Sequence, residues 1–362
     1  MKLPRQTAGF TLVEVLVSGG IIVVIMGVLL SMTDQTQRLM KTTSAKVEQF
    51  QEARVAFESM TRRLAQATLN TFWDYKYDTK GLPSSYQRSA DLRFISGPTS
   101  DLISSKTKTR PGHSVFFHAP NGFVDNQVNF GALDHLINAC GYFVEIGDDQ
   151  ASIPQFLKGQ IAARQRFRLM ELMQPSEQLQ TYQFQQSYPD PNGKKWFDQF
   201  ITGSPRPVRV LAENIVALII LPRLSKSDEQ LWMNQHGGPK SPPPILAPNY
   251  SYDSTTIATS DPILNPHNQL PPVVQVAMVA IDEPSAMKLE DKFFGTDPNL
   301  GLNYSTMFRN PAVLEDDPAT SAPNDGDLSK LETLLISKRA AYRIFSTSVS
   351  IRGAKWSRNQ AN

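Results

Sequence analysis

The chain of 362 residues contains a single cysteine, Cys140. That excludes an intramolecular disulfide, and it excludes a thiolate metal site, which needs several sulfurs. The five histidines, His113, His118, His135, His236 and His267, never fall at a metal-pair spacing such as H-x-x-x-H. G-x-S-x-G, G-x-G-x-x-G and the phosphate-binding loop are all missing, so the sequence offers no hydrolase elbow and no nucleotide cradle. Charge of one sign is missing too: 36 Lys and Arg face 34 Asp and Glu, a balance that gives nucleic acid nothing to bind. There is no internal repeat. Charged residues are 19% and hydrophobic ones 40%, which describes a chain able to fold. The expectation is a protein with no catalytic residue, no metal and no cofactor. Cys140, in the apolar stretch Leu136-Ile137-Asn138-Ala139-Cys140, is expected to be a small buried side chain.

What the sequence does have is concentrated at its start. Residues 1–32 read MKLPRQTAGFTLVEVLVSGGIIVVIMGVLLSM. A polar leader, Met1 to Gly9, carries Lys2 and Arg5. An apolar run from Phe10 to Met32 follows, long enough as a helix at ~1.5 Å per residue to cross a ~30 Å hydrocarbon core. One charge interrupts it, Glu14. A carboxylate at that depth is costly without a cationic partner, and no Lys, Arg or His lies between Phe10 and Met32. The partner is therefore expected from another chain or from a new amino terminus. The plain alternative is a signal-anchor helix with an accidental glutamate. A secretory signal peptide fits less well, because the run exceeds the usual ~7–15-residue core and no small-x-small site ends it.

Gly9-Phe10-Thr11-Leu12-Val13-Glu14, with a basic leader before it and an apolar helix after it, resembles the class III type IV prepilin signal. The resemblance implies cleavage between Gly9 and Phe10 by a membrane prepilin peptidase, and N-methylation of Phe10. It also implies that Glu14 pairs with the terminal ammonium of a neighbouring subunit in a filament, which supplies the partner a buried charge requires. Loss of Lys2 and Arg5 with the leader would leave the remaining chain formally neutral. Charges alone do not orient the span, because Arg38, Lys41 and Lys46 follow it closely. The resemblance places the leader in the cytoplasm, the span in the inner membrane and the head in the periplasm.

Residues 33–70 hold neither proline nor glycine. Val47, Phe50, Phe57, Met60, Leu64 and Ala67 recur mostly at helical spacing between charged positions. This predicts an amphipathic continuation of the helix to about Asn70, roughly 90 Å in all. Gly19, Gly20 and Gly27 would let helices approach closely, although glycine is also simply tolerated in membrane spans. Residues 71–362 read as a β-rich head. Strands are expected at Leu92–Ile95, Ser114–Ala119, Tyr142–Ile146 and Phe167–Leu172, and a short helix from Asn129 to Ala139, ending near Gly141. Ala212-Glu213-Asn214 reads as a turn or bulge that leads into a buried strand, Ile215 to Leu221. Val273–Ile281 and Tyr342–Ile351 are two further long strands, and their separation implies a sheet built from distant pairings. Short helices are expected at Pro284–Phe294 and Leu328–Arg339. Two proline-rich inserts, 234–272 and 295–327, are expected as extended surface loops. In the second, Glu315-Asp316-Asp317 and Asp325-Gly326-Asp327 could offer calcium ligands; a solvated loop, with Asp327 capping the next helix, is the preferred reading. Phe72-Trp73-Asp74-Tyr75-Lys76-Tyr77 is expected to bury its rings where helix meets head, the alternative being a ligand platform.

The order of these pieces resembles the J- and W-type minor pilins and pseudopilins. The residues that carry the likeness are Val210-Leu211-Ala212-Glu213-Asn214-Ile215, Pro271-Pro272-Val273-Val274-Gln275-Val276 and Tyr342-Arg343-Ile344-Phe345-Ser346-Thr347. The whole chain looks closest to a prepilin-like family known as Verru_Chthon cassette protein C, from whose compact relatives the two inserts depart. The fold so implied is α+β: a long pilin-type helix, transmembrane in its first half, packed on an antiparallel sheet. The implied partners are prepilin peptidase, other pilins or pseudopilins, the inner-membrane assembly platform of a type IV pilus or type II secretion system, and membrane lipid. The rival readings are an adhesin displayed on a pilus, with the inserts as its contact surface, and a membrane-anchored β-rich protein outside any filament, such as a tethered enzyme.

Overall fold

A computed structural model of the chain describes residues 11–133, 135–150, 153–179, 181, 193–203, 206–238, 244–257, 261–302, 306–316 and 325–356. Two compact units divide at Gln49 and Phe50. The first consists of the opening part of helix α1, Leu12–Leu64, which begins here and runs on past the boundary. Leu12–Gln37 is long and apolar enough to cross a membrane and none of it is buried within the chain.

The second unit starts inside the same helix. Ala53, Ala56, Phe57, Met60 and Leu64 fall at spacings of three and four, and all are buried in the main core. Helix α1 stops at Leu64 rather than continuing to Asn70. Its last carbonyls turn inward to Gln66 and Ala67, and the Thr68 amide donates to the His118 carbonyl at 2.8 Å, an isolated bridge beyond the helix end.

The strands are β1 (Thr71–Tyr77), β2 (Pro83–Ala90), β3 (Ile95–Pro98), β4 (His113–Pro120), β5 (Ile137–Asp148), β6 (Gln165–Met173), β7 (Val208–Glu213), β8 (Ile215–Arg223), β9 (Tyr252–Asp253), β10 (Val273–Ile281) and β11 (Tyr342–Ser350). Among the described residues they form a β1–β2 hairpin, a sheet ordered β11-β10-β8, and a sheet ordered β7-β6-β5-β4-β3-β9, paired antiparallel throughout. The long strands expected at Ile215, Val273 and Tyr342 do build one sheet from distant pairings. Its central strand β10 is almost wholly buried. Asn214 is the corner at which the chain leaves the larger sheet for the smaller. Its φ of 59° is one that asparagine tolerates better than most residues, and its Nδ2 donates to Glu283 Oε2 at 2.8 Å.

The larger sheet is covered on both faces. Val115, Phe117, Tyr142 and Val144 point into the main core, whereas Phe116 and Phe143 point into a second core closed by Trp196, Phe197 and Ile201 of the helix Lys195–Thr202. Phe116 and Phe197 stack with their ring centroids 3.9 Å apart.

Several expectations are corrected. The helix expected over Asn129–Ala139 is only a single turn, Gln127–Phe130, and Ile137 onward is strand. Gly141 sits in mid-strand because the Phe116 ring occupies the place where its Cβ would stand. The strand expected at Leu92 begins at Ile95. Neither insert is merely a surface loop. Leu246, Ala247, Tyr250, Tyr252, Ile263 and Leu270 of the first, and Leu300, Leu302, Phe308 and Leu314 of the second, belong to the main core. Proline lacks an N–H, so a proline-rich segment can bury apolar side chains with fewer backbone donors to satisfy. The helices Glu283–Phe293 and Asp327–Ser337 lie where expected. Asp327 is the first residue of its helix rather than the cap; Gly326 holds the cap position, and Asp327 Oδ2 accepts from the Phe308 amide at 2.6 Å.

Candidate functional site

The opening of α1 presents a uniform apolar surface; Leu12 is 77% exposed, and its neighbours through Met32 are similarly open. Glu14 sits in the first turn. One of its oxygens accepts from the Thr11 amide at 2.9 Å and from the Thr11 hydroxyl at 3.0 Å, and its own amide reaches back to Thr11 Oγ1 at 3.4 Å. This is a capping box, a threonine and a glutamate three positions apart satisfying each other's free donors. It gives the carboxylate local hydrogen bonds, with no countercharge among the described residues. Gly9 and Phe10, the expected cleavage pair, lie outside the described residues. A Cβ on Gly19, Gly20 or Gly27 would meet nothing within 4 Å, so no contact inside this chain requires glycine there.

Three buried glutamates of the head, Glu171, Glu145 and Glu290, each collect basic side chains. Glu171 of β6 is 0% exposed; it pairs with Arg63 of α1, accepts from Tyr142 Oη at 2.8 Å and from Arg209 Nη2 at 2.5 Å. Burial, and then the nearby Glu171 charge, hold the Tyr142 hydroxyl well above its ordinary pKa. Burial works against charge on Arg63, but Tyr142 and Glu171 outweigh it and raise its pKa. Glu145 of β5 collects Lys108 at 2.9 Å, Arg110 at 3.0 Å and Arg206 at 2.7 Å. Burial alone would raise its pKa; hydrogen bonds from Arg206 and Lys108 overcome that and lower it. Glu290 and Glu283 hold Arg166 at 2.7 and 2.5 Å, tying the helix Glu283–Phe293 to β6.

Two clefts open among these groups. Asp101, Arg110 and His113 line one of about 530 Å³. Its histidine is already committed: His113 Nδ1 accepts from the Ile220 amide and Nε2 faces the Phe308 carbonyl, each at 3.2 Å. Burial pushes its pKa down to about 4, so it is neutral and held in place. The other cleft, about 780 Å³, lies where α1 ends, beside β7, and is lined by Arg62, Arg63, Arg206 and Arg209.

His118 is buried and bonded to Arg93 O and Thr181 Oγ1. Cys140 is buried and free, and burial raises its thiol to about 12, which makes it inert as well as small. Among the described residues no three His, Cys, Asp or Glu side chains gather as a metal site. The aromatic segment differs from the expectation. Trp73, Tyr75 and Tyr77 stand on one face of the β1–β2 hairpin opposite Arg88 and Tyr86, and Trp73 is 62% exposed. Tyr75 and Tyr86 lie 5.0 Å apart, with Arg88 over the Trp73 ring. Alternation of aromatic with polar residues, period two, was the available signal for this hairpin. No sequence signal linked Arg63 to Glu171 across 108 positions.

No family model, no curated protein and no solved structure matches this chain.

Proposed function

We propose that the chain is a membrane-anchored, pilin-like structural subunit whose work is assembly rather than catalysis. The supporting observation is an apolar helix of which nothing from Leu12 to Gln37 is buried within its own chain, carrying one carboxylate in its first turn. An apolar surface of that extent has to be covered by lipid or by other helices, at roughly 25 cal/mol per Å² buried. Processing between Gly9 and Phe10 frees an ammonium on Phe10, and Glu14 of one subunit pairs with the ammonium of its neighbour. The Thr11 hydrogen bonds ease the entry of Glu14 into the bilayer before a neighbour arrives. In the filament the ammonium adds the charge that Thr11 lacks. The pair fixes register more than it adds strength, since a buried ion pair often nets little. Because it needs a neighbour, Glu14 suits a minor subunit inside or just below the filament tip, in a type IV pilus or a type II secretion pseudopilus.

The test is incorporation. Glu14→Leu should insert and be trimmed normally yet fail to enter filaments; normal entry would remove the register role. Gly9→Val should block trimming. The adhesin reading is not to be tested by deleting 239–270, which would remove Leu246, Tyr250, Tyr252 and Ile263 from the core; a substitution at the exposed Ile257 that spares assembly but abolishes attachment would favour it.

A further inference from the structure

The cleft beside β7 is more than a gap between elements. We infer that it is a docking site for an extended acidic segment of a partner protein, which adds to the head as a strand along β7. This inference stands apart from the filament reading and does not need Phe10 to be freed.

Charge is the first argument. Arg62, Arg63, Arg206 and Arg209 line the cleft, and Asp125 is the carboxylate among its lining residues. Glu171 lies beneath, 0% exposed, and is shared by Arg63 and Arg209. Glu145 is shared by Arg206, Lys108 and Arg110. Each buried carboxylate thus faces more positive charge than it can neutralise. Arg62 has no ion-pair partner among the described residues. Arg206 Nε is buried with no hydrogen-bond acceptor among them. A cleft with that balance attracts carboxylates and repels basic chains.

The edge is the second argument. In the order β7-β6-β5-β4-β3-β9, strand β7 has a described neighbour on one side only. Along an edge, alternate backbone amides and carbonyls face outward, ready to pair with another extended chain. The side chains of β7 then set the composition of that chain. Arg209 points to the face that holds Glu171 and Arg63, and Val210, one residue on, is 44% exposed. A strand laid beside β7 would place alternate residues near Arg209, at the cleft, and the others near Val210. The segment that fits carries carboxylates at every second position and apolar residues between them.

The experiment uses the full chain in detergent micelles. It is titrated with a short fluorescent peptide alternating Glu and Val, with the Lys–Val counterpart, and with the acidic peptide carrying a central proline. The expected result is saturable binding of the Glu–Val peptide, about tenfold or more tighter than the Lys–Val peptide and weakening as salt rises. The proline copy should lose most of that affinity, because it cannot complete the strand ladder. Amide exchange in 208–213 of the unmodified protein should slow when the acidic peptide is added. Arg62→Glu should weaken binding with the circular dichroism unchanged, since Arg62 is exposed and unpaired. Equal binding of the basic peptide, equal binding of the proline copy, absence of binding, or protection that spares 208–213 would each overturn the inference. Displacement by inorganic phosphate without any change at β7 would mark a generic anion site and overturn it as well.

Discussion

Helix α1 contains two regions with opposite fates. From Leu12 to Gln37 its apolar residues run around every side and none is buried in the chain. From Phe50 to Leu64 they keep to one stripe, and that stripe is core. The difference lies in the pattern, not in helix-forming tendency. An all-round apolar helix depends on lipid or on other chains for its burial, whereas an amphipathic one is completed by its own domain. In the second region the helix also adds a long-range ion pair, Arg63 to the buried Glu171.

If that contrast is right, substitutions in the two regions should separate cleanly in the stability of the head. The largest effect is expected at the ion pair that ends the buried region. Glu171→Ala leaves Arg63, Arg209 and the Tyr142 hydroxyl without their shared acceptor and should cost about 3–5 kcal/mol in urea unfolding. Leu64→Ala, at a position 0% exposed, should cost about 2–5 kcal/mol, while Leu16→Ala in the first region should leave the head's unfolding midpoint where it was.

A pH titration sharpens the same contrast, because buried histidines occur only in the head. The imidazoles of His113 and His118 are held near a pKa of about 4, mainly by burial, against an ordinary 6.5. Between those values the unfolded chain binds protons that the folded one refuses. Stability should therefore be full above pH 6.5 and fall on acidification toward pH 4, by about 1.4 kcal/mol per pH unit for each histidine. A flat profile across that window would contradict their burial. The smallest effect is expected at the hairpin. Trp73→Ala removes a ring that is 62% exposed and should change head stability by no more than about 0.5 kcal/mol. A larger loss would mean that the aromatic face is packed against something.

How far the sequence could be read follows from the range of the forces involved. Local signals carried well. The all-round apolar run, the turn at Asn214, the long buried strands at Ile215 and Val273 and the alternating strand at Tyr342 are written in neighbouring residues, and the three strands meet in one sheet. Positions decided by distant partners did not carry. The end of the helix expected over Asn129–Ala139 is strand from Ile137 on, where Phe116 of the neighbouring strand fills the space above Gly141. The inserts look solvent-exposed until Tyr250, Tyr252 and Phe308 are found in the core. The arginine cleft joins residues near 62, 125 and 206, a proximity that no spacing encodes. Glu14 was legible as an acid in need of a partner. Its capping box with Thr11 is written there too, as a threonine three positions before a glutamate.

What becomes of the residues ahead of that helix is tested most directly by mass spectrometry of the amino terminus of the protein isolated from its native membrane. The expected result is a chain that begins at Phe10 bearing an N-methyl group. A chain that still carries Met1 through Gly9, or one trimmed elsewhere, would contradict it.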